Sequence, residues 1–403
     1  MNIRLALCTL LFASSIFADA AVDAMFDRAR LHNVQITMSD ADWATLRANY
    51  QQNTNYDATL TIDGERITNC TIRSRGSGTR NGIKPGLRVD FNRKIKSQTF
   101  HGFKILVLDN MYNDASFLHE QLAFAVFEEK GIRVPRESFT RLTVNGQYWG
   151  LYAIVEPIDQ IFVTTHVDAG GGNLFEYNAP AAATPDQLQV WDFALSRGGA
   201  VANYVPSPFE PKTNEDTLDG SALVSFLRTI SESPDATFVE DVSAFVDPEV
   251  MLTYYAVEVA TAEADGLTGS FGPNNFYLYQ LQGTQRFLFI PWDHDFNFVR
   301  GNHSAYYGAE RNILLSRLLA SPALGTFYRD TLQSILTQYM NPGWMAPRID
   351  AFVALIRPSV LEDPKRRPED FDAAVAYVRQ VIADRGHSIE TQLNPTRRRP
   401  ARH

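Results

Sequence analysis

Cysteine is nearly missing from this chain: there are two in 403 residues, and Cys8 lies in an N-terminal apolar run. With that run set aside, Cys70 stands alone, so no disulfide framework holds the fold. No His/Cys cluster with zinc-ligand character occurs. Positive charge is also scarce. The 37 Lys and Arg are outnumbered by 46 Asp and Glu, a net charge of −9. No global basic field exists to grip a phosphate backbone, which argues against a nucleic-acid partner. The one basic cluster, Arg397 to His403, reads as a frayed, solvated tail covering residues 394–403. Beyond the N-terminus no apolar stretch reaches membrane length, so no membrane span is expected. There is no internal repeat, no GxGxxG and no Walker lysine loop.

Large apolar side chains are plentiful. Hydrophobic residues make up 45%, with 26 Phe and 16 Tyr, enough for a large core. The start, MNIRLALCTLLFASSIFADA, combines Arg4, an apolar run from Leu5 to Phe17 and a small-x-small site at Ala18-Asp19-Ala20. That pattern predicts a cleaved signal peptide over residues 1–20, and hence a secreted or periplasmic protein.

The periodicities predict a β-rich N-terminal part and a mainly helical remainder. LHNVQITMSDADWATLRANY reads as a strand and then a helix capped by Ser39 or Asp40, with Trp43 and Leu46 on one face. Asp63-Gly64 and Asn145-Gly146 each sit between alternating strands and announce hairpins. Residues from about 33 to 156 are expected to form a mostly antiparallel sheet carrying helices. A helix is expected from Asp114 to Lys130, ended by Gly131. Gly170 to Gly172 and the Ala/Pro-rich stretch 179–186 mark loops, and from about Thr213 the chain turns helical. Asp247-Pro248-Glu249 opens a helix expected to run over 247–264. The hairpin NNFYLYQLQGTQRFLFIPWD interrupts the helices. Cys70, in a strand-like stretch, is expected in the core.

Candidate chemistry gathers at the open end of that hairpin. FLFIP is apolar enough for burial and runs directly into Asp293 and Asp295. Carboxylates at the lip of a core need an arginine or a metal to meet them. If Gly283-Thr284 alone forms the loop, Asn274 faces Asp293; a three-residue loop puts Asn275 there instead. Asp265, in the preceding Asp-Gly turn, arrives at the same end. An Asp that orients a hydroxyl, an Asn offering a neutral oxygen and an Asp that holds a cation together suit phosphoryl transfer. Such hard oxygen donors favour Mg or Mn. Equally, Asp265 could cap a turn and Asp293 could pair with Arg286 or Arg300. Arg75-Gly76-Ser77-Gly78 serves as a hairpin bend or, by its place before Lys84, as a cover for phosphates.

The chain resembles the CotH family, the atypical secreted protein kinases of the spore-coat protein H type. The resemblance runs in order through DWATLRANY, IRSRGSGTRNGIKPGLRVDF, MYNDASFLHEQLAFAVFEEKG, LTVNGQYWGLYAIVEPID, FEPKTNED, the ADG of 264–266 and NNFYLYQLQGTQRFLFIPWDHDF. It covers about residues 34 to 385. It implies an α+β, two-lobed kinase-like fold with an antiparallel-sheet N-lobe (33–165) and a mainly helical C-lobe (166–393) bearing the catalytic hairpin 274–293. It further implies Asp265 as the catalytic aspartate and Asp293 as a metal ligand, with Asn275 and Asp295 beside it. Lys84, Arg88, Arg75, Glu156 and Lys212 fall at positions implied to handle the nucleotide. Two departures stand out: Pro85 replaces a lysine of the family's basic run, and His119 stands where an Arg is usual.

The activity so implied is transfer of the γ-phosphate of ATP, with Mg or Mn, to Ser or Thr hydroxyls of a protein substrate. Two other readings compete. One is a non-catalytic surface or coat scaffold with the same fold. The other is a metal-dependent hydrolase or nucleotidyl transferase using the same acids.

Overall fold

The computed structural model describes residues 20–178, 193–270, 272–365 and 367–393. The apolar N-terminal run, the stretch 179–186 and the basic tail 394–403 lie outside the described residues. The chain is mixed α+β and divides into two compact units, each assembled from three segments. The first takes residues up to Ala115 together with Pro135–Pro157 and Asp350–Asp372. The second takes Ser116–Val134, Ile158–Ile349 and the residues from Ala373 onward.

The first unit contains a closed barrel of seven strands: β1 (Leu31–Thr37), β2 (Tyr56–Ile62), β3 (Glu65–Arg75), β4 (Gly86–Asp90), β5 (Ile105–Asp109), β6 (Glu137–Val144) and β7 (Gln147–Val155). Their order is β1-β2-β3-β4-β5-β7-β6. The two expected hairpin turns are present, with Ile62 opposite Glu65 and Val144 opposite Gln147. Asp63, Gly64, Asn145 and Gly146 all have positive φ, at 48°, 92°, 49° and 78°. That is the mirror-image turn that matches strand twist.

The sheet is mostly antiparallel, as expected, with one parallel seam. β1 and β6 pair in parallel, from Leu31 opposite Phe139 to Ile36 opposite Val144. This seam closes the sheet and leaves it without free edges. Turn signals report only strands adjacent in sequence, so they could not announce it. Alternation puts Val34, Ile36, Leu60, Leu87 and Val89 in the core. Cys70 is fully buried, and burial pushes its thiol up to about 11. The helix Asp40–Ala48 is capped by Ser39, which accepts the Asp42 N–H at 3.3 Å. Its Trp43 meets Trp149 edge-on at 5.1 Å.

The second unit holds a four-stranded sheet ordered β11-β10-β8-β9, from β8 (Leu174–Tyr177), β9 (Phe209–Pro211), β10 (Phe276–Gln280) and β11 (Phe287–Pro291). β8 and β9 extend the anticipated hairpin. The helix Pro248–Thr261 is buried along nearly its whole length and packs against His119–Glu129 and Pro322–Gln338. Two helix boundaries differ from expectation. The helix expected from Asp114 begins at His119, because Phe117 takes φ 60° and interrupts helical geometry. The helix expected to reach residue 264 ends at Thr261, where Ala262 turns left-handed at φ 57°. No helix among the described residues is long and apolar enough to cross a membrane.

Candidate active site

The hairpin β10–β11 takes the first of the two registers considered. Phe276 faces Pro291 and Gln280 faces Phe287. One further bond, Trp292 N–H to the Asn275 carbonyl at 3.1 Å, continues the ladder and puts Asn274 level with Asp293. The tip is wider than Gly283-Thr284 alone, since Leu281 N–H donates to Arg286 O and closes a loop over 282–285.

Both asparagines turn to Asp265. The Asn274 and Asn275 side-chain amides donate to Asp265 Oδ2 at 3.2 and 3.3 Å, and Asn275 also reaches the Asp265 carbonyl at 3.1 Å. Asn274 N–H donates to Gly266 O, fastening the turn to the hairpin. Asp265 Oδ1 is buried and accepts no hydrogen bond. Burial raises the Asp265 pKa, and the two amide bonds oppose the rise. Asp293 is half-buried, with its backbone at φ 55°. His119 Nδ1 donates to the Asp295 carbonyl at 2.7 Å, and its ring lies 5.8 Å from Phe298. The His119 side chain therefore holds the backbone beyond Asp293.

Behind Asp265 lies a layer that the motifs did not reveal. Glu263 Oε1 accepts the N–H groups of Ala264 and Asp265 at 3.0 and 2.7 Å, and Glu258 Oε1 accepts that of Leu267 at 2.8 Å. The His294 ring lies between the two acids, Nδ1 3.5 Å from Glu263 and Nε2 4.0 Å from Glu258. Glu258 also accounts for the glycine of the Asp-Gly turn. A Cβ on Gly266 would fall 2.2 Å from Glu258 Oε1, closer than any side chain tolerates. The available signal was Glu258 itself, a lone acid amid Tyr254, Tyr255, Ala256, Val257 and Val259.

Burial holds Glu263 well above the carboxylate range, lifts Glu258 to about 8 and drops His294 to about 3. Burial thus favours the uncharged form of all three groups. Glu258 is faced by Glu263, His294, the Tyr254 hydroxyl and the Leu267 amide. Its unfolded pKa is near 4.5, so as pH climbs from there to about 8 the unfolded chain ionises while the fold keeps the proton. The stability linked to Glu258 is full below that window and falls as pH rises through it. Glu258→Gln is expected to match the wild-type melting temperature near the bottom of the window and exceed it near the top. Parallel melting curves at all pH values would contradict this.

The residues assigned to the nucleotide each meet an opposite charge inside their own unit. In the first unit Lys84 is fully buried, 3.2 Å from Asp363, which also accepts the Leu151 N–H. Arg75 pairs with Asp109 at 3.2 Å and Arg88 with Asp90 at 3.1 Å. Glu156, wholly buried, is gripped by Arg136 at 2.7 Å and accepts the Arg136 N–H at 3.0 Å. In the second unit Lys212 bridges Glu176 and Glu210 at 2.5 and 2.9 Å. Burial works against the Lys212 charge, yet the two carboxylates hold its pKa above the ordinary value.

A family model described as CotH kinase protein matches residues 72–389. The chain belongs to the CotH family. It is also similar to the inner spore coat protein H of Bacillus subtilis (strain 168), at 25% identity over 380 residues, covering 92% of this chain and 99% of that protein. The matched span contains Asp265, Asn275, Asp293 and Asp295.

The donor set suits a hard divalent cation. Among the described residues no three His, Cys, Asp or Glu side chains come together as a metal cage. Mg²⁺ does not require one, since it commonly rests on one or two carboxylates and completes its shell with water and phosphate oxygens. Both asparagines direct their amide nitrogens to Asp265, so their carbonyl oxygens, not their nitrogens, are what they can offer to other partners.

Proposed function

We propose that this CotH-family member is an exported phosphotransferase that moves the γ-phosphate of ATP to Ser or Thr hydroxyls of a protein, within a two-lobed kinase-like fold. The observation that carries the reading is the cluster Asp265, Asn274 and Asn275 at the mouth of the hairpin that leads into Asp293. Asp265 takes the part of hydroxyl orienter. Its Oδ2 is fixed by two amides, and Oδ1, buried and without a hydrogen bond, would accept the proton of the incoming hydroxyl once substrate binding uncovers it. Its raised pKa makes it a better proton acceptor than an exposed aspartate.

Asp293 and Asn275, with Asp295 beside them, would hold Mg²⁺ or Mn²⁺, which when bound neutralises phosphate charge. The chain's own contribution is positioning: the ladder through Trp292 and Asn275 sets the spacing of the carboxylates before any ligand arrives. By the relative's name, a spore-coat setting would supply the protein substrate.

Mg-ATP is expected to raise the melting temperature, with a stabilisation of about 2.7 kcal/mol at a hundredfold excess over Kd. γ-Labelled ATP should mark a Ser-rich acceptor. Label arriving from the α-position instead would indicate nucleotidyl transfer. A folded protein with neither shift nor label would leave the second reading, a non-catalytic coat component, which the five internally paired nucleotide candidates favour.

A further inference from the structure

We propose that Glu263 and Glu258 are positioning residues: with His294 between them, they hold the turn bearing Asp265 and the strand exit bearing Asp293 at a set spacing on the helix Pro248–Thr261. This rests on the reading of Asp265 and Asp293 given above.

A buried acid inside an otherwise apolar stretch of helix, Glu258, and a second just past the helix end, Glu263, are costly, and ordinary packing would have been served by Leu or Met. What these acids do is specific. Each directs one oxygen to backbone amides of a single turn, and one of those amides belongs to Asp265 itself, at 2.7 Å. Each also leaves its second oxygen, Glu258 Oε2 and Glu263 Oε2, buried without a hydrogen bond. A cap that merely ended the helix would not need the second acid. The helix end is already closed by Glu263 N–H donating to Glu258 O.

His294 extends the arrangement across to the hairpin. It follows Asp293 directly, faces both acids, and its own N–H donates to Glu120 at 3.3 Å. Asn297 locks the same stretch by donating to the His294 carbonyl at 2.8 Å. Two further backbone bonds join the segments, Ala264 N–H to Phe296 O and Phe298 N–H to Thr261 O. The cluster is not a second metal centre, since no such grouping of acids and histidine with metal-holding geometry occurs among the described residues. It is a buried strut between two carboxylates that must keep their distance.

The test compares Glu263→Gln, Glu263→Ala and wild type by steady-state phosphotransfer and by amide hydrogen exchange. Glu263→Gln keeps an acceptor oxygen for both amides and should retain near wild-type kcat and slow exchange at Ala264 and Asp265. Glu263→Ala should accelerate exchange chiefly at Asp265, because Ala264 N–H keeps the Phe296 carbonyl, and lose about a hundredfold in kcat, with KM for ATP within about twofold, as expected for a misplaced group. If the alanine variant fails to fold, Glu263→Asp, whose carboxyl falls one methylene short, is expected to show the same pattern.

The proposal is overturned if Glu263→Gln falls as far as Glu263→Ala. It is also overturned if exchange accelerates with kcat unchanged, or if exchange does not respond at all. Should wild type transfer no phosphate, the phosphotransferase reading fails on its own. The exchange data then decide alone: faster exchange only in the alanine or aspartate variant supports the strut, and unchanged exchange overturns it.

Discussion

Alanine at Asp293 is expected to lower γ-phosphate transfer by about a thousandfold or more, the scale seen when charge handling is removed from phosphoryl-transfer sites. The melting temperature should stay near the wild-type value, because the side chain is only half-buried at the strand exit. Asp265→Ala is expected to lose activity on a similar scale for a different reason. The two asparagine amides keep their places but no longer have Oδ2 to donate to, and no carboxylate remains to receive the acceptor's proton. The two losses should be far from additive when combined, since the residues act as one unit. Full labelling in either single variant would remove the site from the chemistry, whatever the family.

Lys84→Met should act on the fold itself. The ammonium is buried against Asp363 and lies 5.1 Å from the centre of the Tyr152 ring. Removing it strands a carboxylate in the core, a defect of about 3–5 kcal/mol in comparable buried pairs. Changing Asp363 to Leu as well is not expected to rescue stability. That carboxylate also accepts backbone N–H groups from Leu151 and Lys365, and these would be left unsatisfied. Denaturant titration of the single and double variants measures both effects. A Lys84→Met protein as stable as wild type but unable to bind ATP would instead return Lys84 to the nucleotide.

Much of the local structure was legible in the chain. Asp-Gly and Asn-Gly dictate their turns because only residues that tolerate positive φ close a two-residue hairpin. Ser39 and Asp247 announce helix starts through side chains that accept orphan amides. The convergence of Asp265 with both asparagines followed from strand pairing, although pairing alone left open which asparagine would face Asp293. Three features lay beyond such reasoning. The parallel seam of β1 with β6 depends on the twist accumulated around the whole barrel. The role of the acids at 258 and 263 was hidden, since Glu263 looks like an ordinary helix-end residue and Glu258 shows only as a lone acid among apolar neighbours until burial is known. The partner of Lys84 stands 279 residues away, and no local pattern carries such a choice.

That last distance has a consequence for how the molecule comes into being. The barrel strands are complete by Val155, yet the counter-charge for Lys84 and the Arg141 partner Glu362 belong to a segment near the far end of the chain. Lys84 stays hydrated until Asp363 is there to meet it, so closure of the first unit around that cation waits for residues 350–372. A polypeptide whose first unit closes only when a late segment arrives stays open for longer, and its unpaired strands are exposed to misassembly and proteolysis for all of that time.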